Sequence, residues 1–96
     1  MSESVESRER GRGSIAGQVL TSEGEPIVEA AVMITGHSPP HPDIALLTDA
    51  RGRYRFDGLL PGEYEILVNT EAFGMQTRPV SLGAGQVARL DFWLKS

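Results

Sequence analysis

The chain has 96 residues, a formal net charge of −4 and no cysteine. The length is one domain's worth, and the missing thiols exclude disulfide staples and cysteine nucleophiles, which fits a reducing compartment. Lys95 is the only lysine, and the acid excess argues against nucleic acid as a partner, because phosphate binding rests on clustered Lys and Arg.

Met1 to Gly13 mixes Glu3, Glu6, Arg8, Glu9, Arg10 and Arg12 with Ser and Gly. Such a segment cannot offset its ordering entropy and is expected to be a disordered tail, with the folded domain at 14–96. The tail has no apolar core of the kind a secretory signal carries, and cytoplasmic location is the expectation. The longest apolar run, Ala30 to Ile34, is far short of a membrane helix, so no membrane insertion is expected.

From Ser14 the pattern changes to short stretches of period two, which put alternate side chains on opposite faces of a strand. In SIAGQVL, Ile15, Gly17 and Val19 point one way; in EAAVMIT, Ala30, Val32 and Ile34 do. GHSPPHPD (36–43) follows as a proline-biased extended loop. IALLT is a third strand. RYRF sets Tyr54 and Phe56 inward and Arg53 and Arg55 outward; EYEILVN sets Tyr64, Ile66 and Val68 inward. RPVSL is a short strand whose Pro79 cannot donate to a ladder, which predicts an edge position. QVARLDFWL closes the series with Leu90, Phe92 and Leu94 inward. Gly- and Pro-bearing turns separate these runs, and no segment carries a sustained 3.6-residue period. The pattern predicts an all-β fold of seven short strands in a two-sheet antiparallel sandwich.

The run GQVLTSEGEPIVEAAVMI resembles the opening of carboxypeptidase regulatory-like domains. The second half is closer to that family's pattern: Thr48, Asp49, Gly52, Tyr54 and Phe56, then Leu59, Pro61, Gly62, Tyr64, Ile66 and Val68. VARLDFWL resembles its last strand. The resemblance covers about residues 14–94 and implies a seven-stranded Greek-key, transthyretin-like (prealbumin-like) β-sandwich. It also implies a module appended to or assembled with larger proteins rather than a chemistry of its own, since a fold is a platform for many sites.

Several residues invite chemistry. Asp49-Ala-Arg-Gly52 could open a calcium loop, but Ala50, Arg51 and Arg53 break the oxygen series that calcium needs, leaving an Asx-type turn. His37, His41 and Asp43 are of metal-ligating type, but their spacing shares a face only on a helix, which the prolines forbid. No cofactor and no metal are expected. The transthyretin-like hydroxyisourate hydrolases end in Tyr-Arg-Gly-Ser, whereas this chain ends Trp93-Leu94-Lys95-Ser96, and no nucleophile–base spacing is present. The expectation is no enzyme.

The residues left outside the core are more informative. Alternation turns Trp93, Leu67 and Met33 outward, together with Leu20 and one of Leu46 and Leu47. If contiguous, such a group marks an interface. The leading reading is a non-catalytic protein-interaction or structural accessory module, a small adaptor for another protein or for self-association. Trp93, Leu67 and Met33 are its candidate contact residues, with His37 and His41 in the loop. The alternative is a carbohydrate-binding module stacking sugars on an exposed aromatic; a small hydrolase ranks last. Collagen-adhesin B-type domains, a related group, join Lys to Asn, but here the first strand has no lysine. The intact mass is therefore expected to equal the sequence mass, and a deficit of about one ammonia would reveal such a bond.

Overall fold

The computed structural model describes residues 11–38 and 45–95. Eight strands follow one another: β1 (Gly13–Thr21), β2 (Ala31–Ser38), β3 (Ala45–Leu47), β4 (Arg53–Leu59), β5 (Gly62–Thr70), β6 (Gly74–Leu82), β7 (Val87–Arg89) and β8 (Phe92–Leu94). They form two four-stranded sheets. One runs β4-β1-β7 with β8 also on β1, and the other runs β3-β2-β5-β6. Residues 1–10 of the expected tail and most of the proline-rich loop, including His41, lie outside the described residues, whereas Gly13 already belongs to β1.

The inward sets read from the alternation are buried. Ile15, Val19 and Phe92 of the first sheet meet Val32, Ile66 and Val68 of the second, each fully enclosed. Burying each such side chain contributes roughly 1.5–3 kcal/mol. Tyr54 packs edge-on against Phe56, with ring centroids 5.9 Å apart. Where the sheets part at the β6 edge, Arg78 crosses the gap. Its Nη1 donates to the Asp91 carbonyl at 2.6 Å, and its guanidinium lies 5.9 Å from the Phe92 ring centroid. Pro79 is indeed on an edge strand, since β6 pairs only with β5.

Three expectations need correction. First, there are eight strands rather than seven. The last run lies along β1 in one unbroken offset, with Ser14 opposite Val87 and Val19 opposite Phe92, but its ladder is interrupted at Leu90–Asp91. There a side chain replaces backbone: Asp91 Oδ1 accepts the Gln18 N–H at 2.9 Å, and the Leu90 carbonyl accepts the buried Tyr54 hydroxyl. Second, β1 pairs in parallel with β7 and β8, so the first sheet is mixed rather than antiparallel. Alternation reports which face a residue takes, not the direction of a distant partner strand. Third, β2 continues through Ser38, past a bulge between Ile34 and Gly36, so His37 belongs to a strand with its backbone opposite Tyr64. β6 likewise starts at Gly74, earlier than the proline suggested.

Gly17 and Tyr54 are the tightest points of the first sheet. A Cβ on Gly17 would lie 1.8 Å from the Leu90 carbonyl oxygen, with backbone on the other side unable to yield. Gly17→Ala is expected to cost upwards of about 3 kcal/mol by overpacking. Tyr54→Phe strands the Leu90 carbonyl and is expected to cost about 1–3 kcal/mol. Urea unfolding measures both, and a Tyr54→Phe protein as stable as the parent would remove the hydroxyl from the account.

Candidate functional site

The Asp49–Tyr54 segment uses its charges internally. Asp49 Oδ1 accepts the N–H groups of Arg51 and Arg53, both at 2.9 Å, and the Gly52 N–H donates to the Asp49 carbonyl at 2.9 Å. Gly52 has φ +73°, and a Cβ there would sit 2.6 Å from the Val19 oxygen. These contacts, the Arg53 N–H bond foremost, hold the Asp49 carboxyl below its usual range. The segment is a turn that hands the chain to β4, with its carboxylate already occupied.

The outer face of the second sheet is different. Its register builds rows across four strands: Leu47–Ala31–Asn69–Met75, then Ala45–Met33–Leu67–Thr77. Leu47 and Met75 are 60% and 67% exposed, and Ala31, Met33 and Leu67 are half-buried between them. The next two rows carry Glu65 opposite Pro79, and Glu63 opposite Ser81. Ser81 Oγ donates to both Glu63 oxygens, at 2.8 and 2.9 Å. Beyond the Leu47 row, a depression of about 650 Å³ opens between residues 27–31 and 69–73, with Glu29 and Glu71 at its margin. Among the described residues this face has an apolar centre, acids at both ends, and no lysine or arginine.

One wall of that depression is strained. Glu29 has φ +59°, a left-handed conformation that costs a non-glycine residue roughly 1–2 kcal/mol. The buried Thr48 holds it there. Its hydroxyl donates to the Ile27 carbonyl at 2.7 Å and accepts the Ala30 N–H at 2.9 Å, and its backbone exchanges bonds with Glu29 and Ala30.

The outer face of the first sheet carries the opposite charge pattern. Ala16 sits between Arg55 on β4 and Arg89 on β7, and Gln18 sits beside Arg53. Because Ala16 is small, the arginines flank a depression of about 340 Å³. Arg55 Nε donates to Asp57 on β4 at 2.6 Å, and Arg89 Nε to Asp91, just past the end of β7, at 3.2 Å. Ser14 and Arg55 together hold the Asp57 carboxyl below its usual range. Behind this face, burial keeps the Tyr54 phenol far above its ordinary value, so it remains a hydrogen-bond donor. Two residues further along, Leu20 lies beside Trp93, which is 52% exposed.

Of the outward residues expected from sequence, Met33 and Leu67 are therefore direct cross-strand partners, and Leu47 rather than Leu46 joins them. Trp93 and Leu20 meet each other, on the opposite side of the molecule. His37 is on β2, and the position of His41 is outside the described residues. Met75 and Arg89 were not legible as face residues. Met75 was missed because β6 was read too short, and Arg89 because only the tertiary pairing sets it across β1 from Arg55.

With this geometry in place, comparison with known proteins is informative. The carboxypeptidase regulatory-like domain family matches residues 14–95. The chain belongs to that family. The domain is a non-catalytic accessory fold, and the transthyretin-like β-sandwich expected from the resemblance is present. No curated protein sequence matches the chain. Solved structures share the fold at low identity. The Bacillus anthracis TIE protein superposes with a TM-score of 0.76 at 14% identity, over 90% of this chain and 17% of its own. The major pilin subunit BcpA of Bacillus cereus gives 0.69 at 12%, over 88% and 30%. A candidate carbohydrate-binding protein from Pseudomonas aeruginosa gives 0.63 at 16%, over 96% and 94%. The domain thus spans a small part of the first two proteins.

The two lowered carboxyls fix the sign of an acid response. Their stabilisation is complete above their ordinary value of 3.8 and is lost as pH falls through their lower folded values. Thermal melts from about pH 6 to about pH 2 are expected to show a falling midpoint in the parent and a shallower fall in Asp49→Asn. Identical slopes would place the acid sensitivity elsewhere.

Proposed function

We propose that the domain is a non-catalytic protein-interaction module that docks a partner through the outer face of the β3-β2-β5-β6 sheet. The apolar group of Leu47, Met33, Leu67 and Met75, whose charged neighbours on this face are glutamates among the described residues, carries this reading. A grouped apolar patch of this kind is characteristic of an interface. Its chemistry specifies the partner: an apolar contact surface flanked by Lys or Arg, which the acidic border would steer and orient. The same fold in a pilin subunit is consistent with a role in assembly.

A second reading rests on Trp93. Its exposed indole beside Leu20 offers a stacking platform, and the Pseudomonas aeruginosa structure matches over nearly its whole length. A panel of glycans titrated against Trp93 fluorescence addresses it. Saturable quenching supports this reading, and none ends it.

The docking reading is tested by a photo-cross-linking residue at Thr77, which lies in the Met33–Leu67 row. In native lysate it is expected to trap a defined protein. Met33→Glu/Leu67→Glu, with an unchanged circular dichroism spectrum, is expected to weaken capture at least about tenfold. Equal capture by the variant would sink the assignment of this face.

A further inference from the structure

We propose that a second copy of this chain is an occupant of the docking face, stacked sheet on sheet, with the first sheet of one molecule against the second sheet of the next. The proposal rests on the docking role of the second sheet and names its partner.

The rows of the two faces match. Successive rows on one face of a sheet are two residues apart, roughly 6.7 Å, on both sheets. Along β5 the outward series is Glu63, Glu65, Leu67 and Asn69, with Leu67 in the Met33 row and Asn69 in the Leu47–Met75 row beyond it. Along β1 the outward series is Ala16 between Arg55 and Arg89, then Gln18 between Arg53 and Asp91, then Leu20 beside Trp93. Acid, acid, apolar on one face therefore meets a two-arginine row, a row of Arg53 with Asp91 already bonded to the Gln18 N–H, and an apolar row on the other, at the same spacing. With β5 of one copy laid over β1 of another, Glu63 enters the depression over Ala16, between two guanidiniums. Glu65 then reaches Arg53, and Leu67 and Met33 cover Trp93 and Leu20.

The arginines have donors to spare, and Glu63, whose oxygens accept the single Ser81 hydroxyl, keeps lone pairs for a second donor. Arg55 and Arg89 each commit Nε to a nearby aspartate, and Arg55 has one further contact of 3.5 Å, from Nη2 to Ser14 Oγ. Most of their terminal N–H groups remain unspent, and a guanidinium's fork suits a carboxylate. Among the described residues Arg53 and Glu65 form no ion pair, although the charge of Arg53 helps to lower the Asp49 pKa. The local aspartates Asp49, Asp57 and Asp91 offset part of the arginine charge, but Arg51 and Arg12 lie on the same side of the molecule, and no cation lies on the second face among the described residues. Self-stacking by a flipped, two-fold arrangement would instead set glutamates or arginines against their own kind, at least where the rows coincide. The contact is heterologous, with different faces meeting, so each added copy leaves both a donor and an acceptor face open.

The test is a charge swap read by sedimentation velocity. The parent is expected to form an open series of oligomers whose mean size grows with concentration and falls with added salt. Arg53→Glu alone and Glu65→Arg alone are each expected to associate at least about tenfold more weakly, with melting temperatures near the parent's. Their equimolar mixture is expected to recover association, because each variant keeps one native face and the two altered faces complement one another. A parent that is monomeric up to about 1 mM overturns the proposal. So does a closed dimer as the largest species, or a mixture no more associated than its components. If the parent is monomeric yet still captures a different protein at Thr77, the stacking fails while the docking reading stands. If it stacks but the mixture does not recover, the faces are wrongly matched.

Discussion

The structure depends on the contact of Gly17, Tyr54 and Leu90. β1 lies at the centre of its sheet, antiparallel to β4 on one side and parallel to β7 and β8 on the other. The closing strand must be joined to β1 without the local help of a hairpin. At the midpoint the Leu90 carbonyl turns into the space that a Cβ on Gly17 would fill, and it accepts the Tyr54 hydroxyl from across β1. One buried hydrogen bond thus ties both neighbours of β1 together, and the Asp91 carboxylate replaces the ladder bond that this turn removes. A buried carbonyl left without a partner would cost about 1–3 kcal/mol, an appreciable share of the stability of so small a domain.

This closure determines what the outer faces can be. Ile15, Val19, Tyr54 and Phe92 fill the interior from one side and Val32, Ile66 and Val68 from the other. Among the described residues, no three His, Asp or Glu side chains come together in a group able to hold a metal. The titratable groups that shift do so for structural reasons: Asp49 closes a turn and Asp57 ties Ser14 to Arg55. What remains for recognition is the two outer faces and the rims, where the side chains rejected by the core are set out in register.

The inward set was legible because period two needs no knowledge of which strands are neighbours. Tyr54, Phe56, Tyr64, Ile66 and Val68 could be assigned from their own segments. The outward faces were legible only residue by residue. Met33 and Leu67 were both seen to point out, but their pairing depends on β2 meeting β5, across more than thirty intervening residues. Trp93, likewise expected to face outward, belongs to the other sheet, beside Leu20. Arg55 and Arg89 face each other across Ala16 only because β1 separates β4 from β7. Thr48 matched a family motif without revealing its part in holding the strained Glu29, because that role comes from two hydrogen bonds to a different segment. Local chemistry carries the layer a residue belongs to, and the topology decides its company.

The net charge of −4 illustrates the same separation. It speaks against a nucleic-acid partner, yet it conceals two faces of different sign. Arg53 and Arg55 stand close in sequence to Glu63 and Glu65, and in an extended chain the four would largely cancel. They end on opposite sides of the molecule because the chain changes sheets between β4 and β5. That crossing is held by the Tyr64 hydroxyl, which donates to the Leu60 carbonyl at 2.5 Å, and by Gly62, whose φ of +155° lets the strand start at once after Pro61. Leu59, fully buried, anchors the first side of the crossing, and Tyr64 anchors the second. The turn residues between β4 and β5 therefore do more than join two strands. By sending consecutive charged strands to different layers, they set the arginines of β4 and the glutamates of β5 on opposite outer faces.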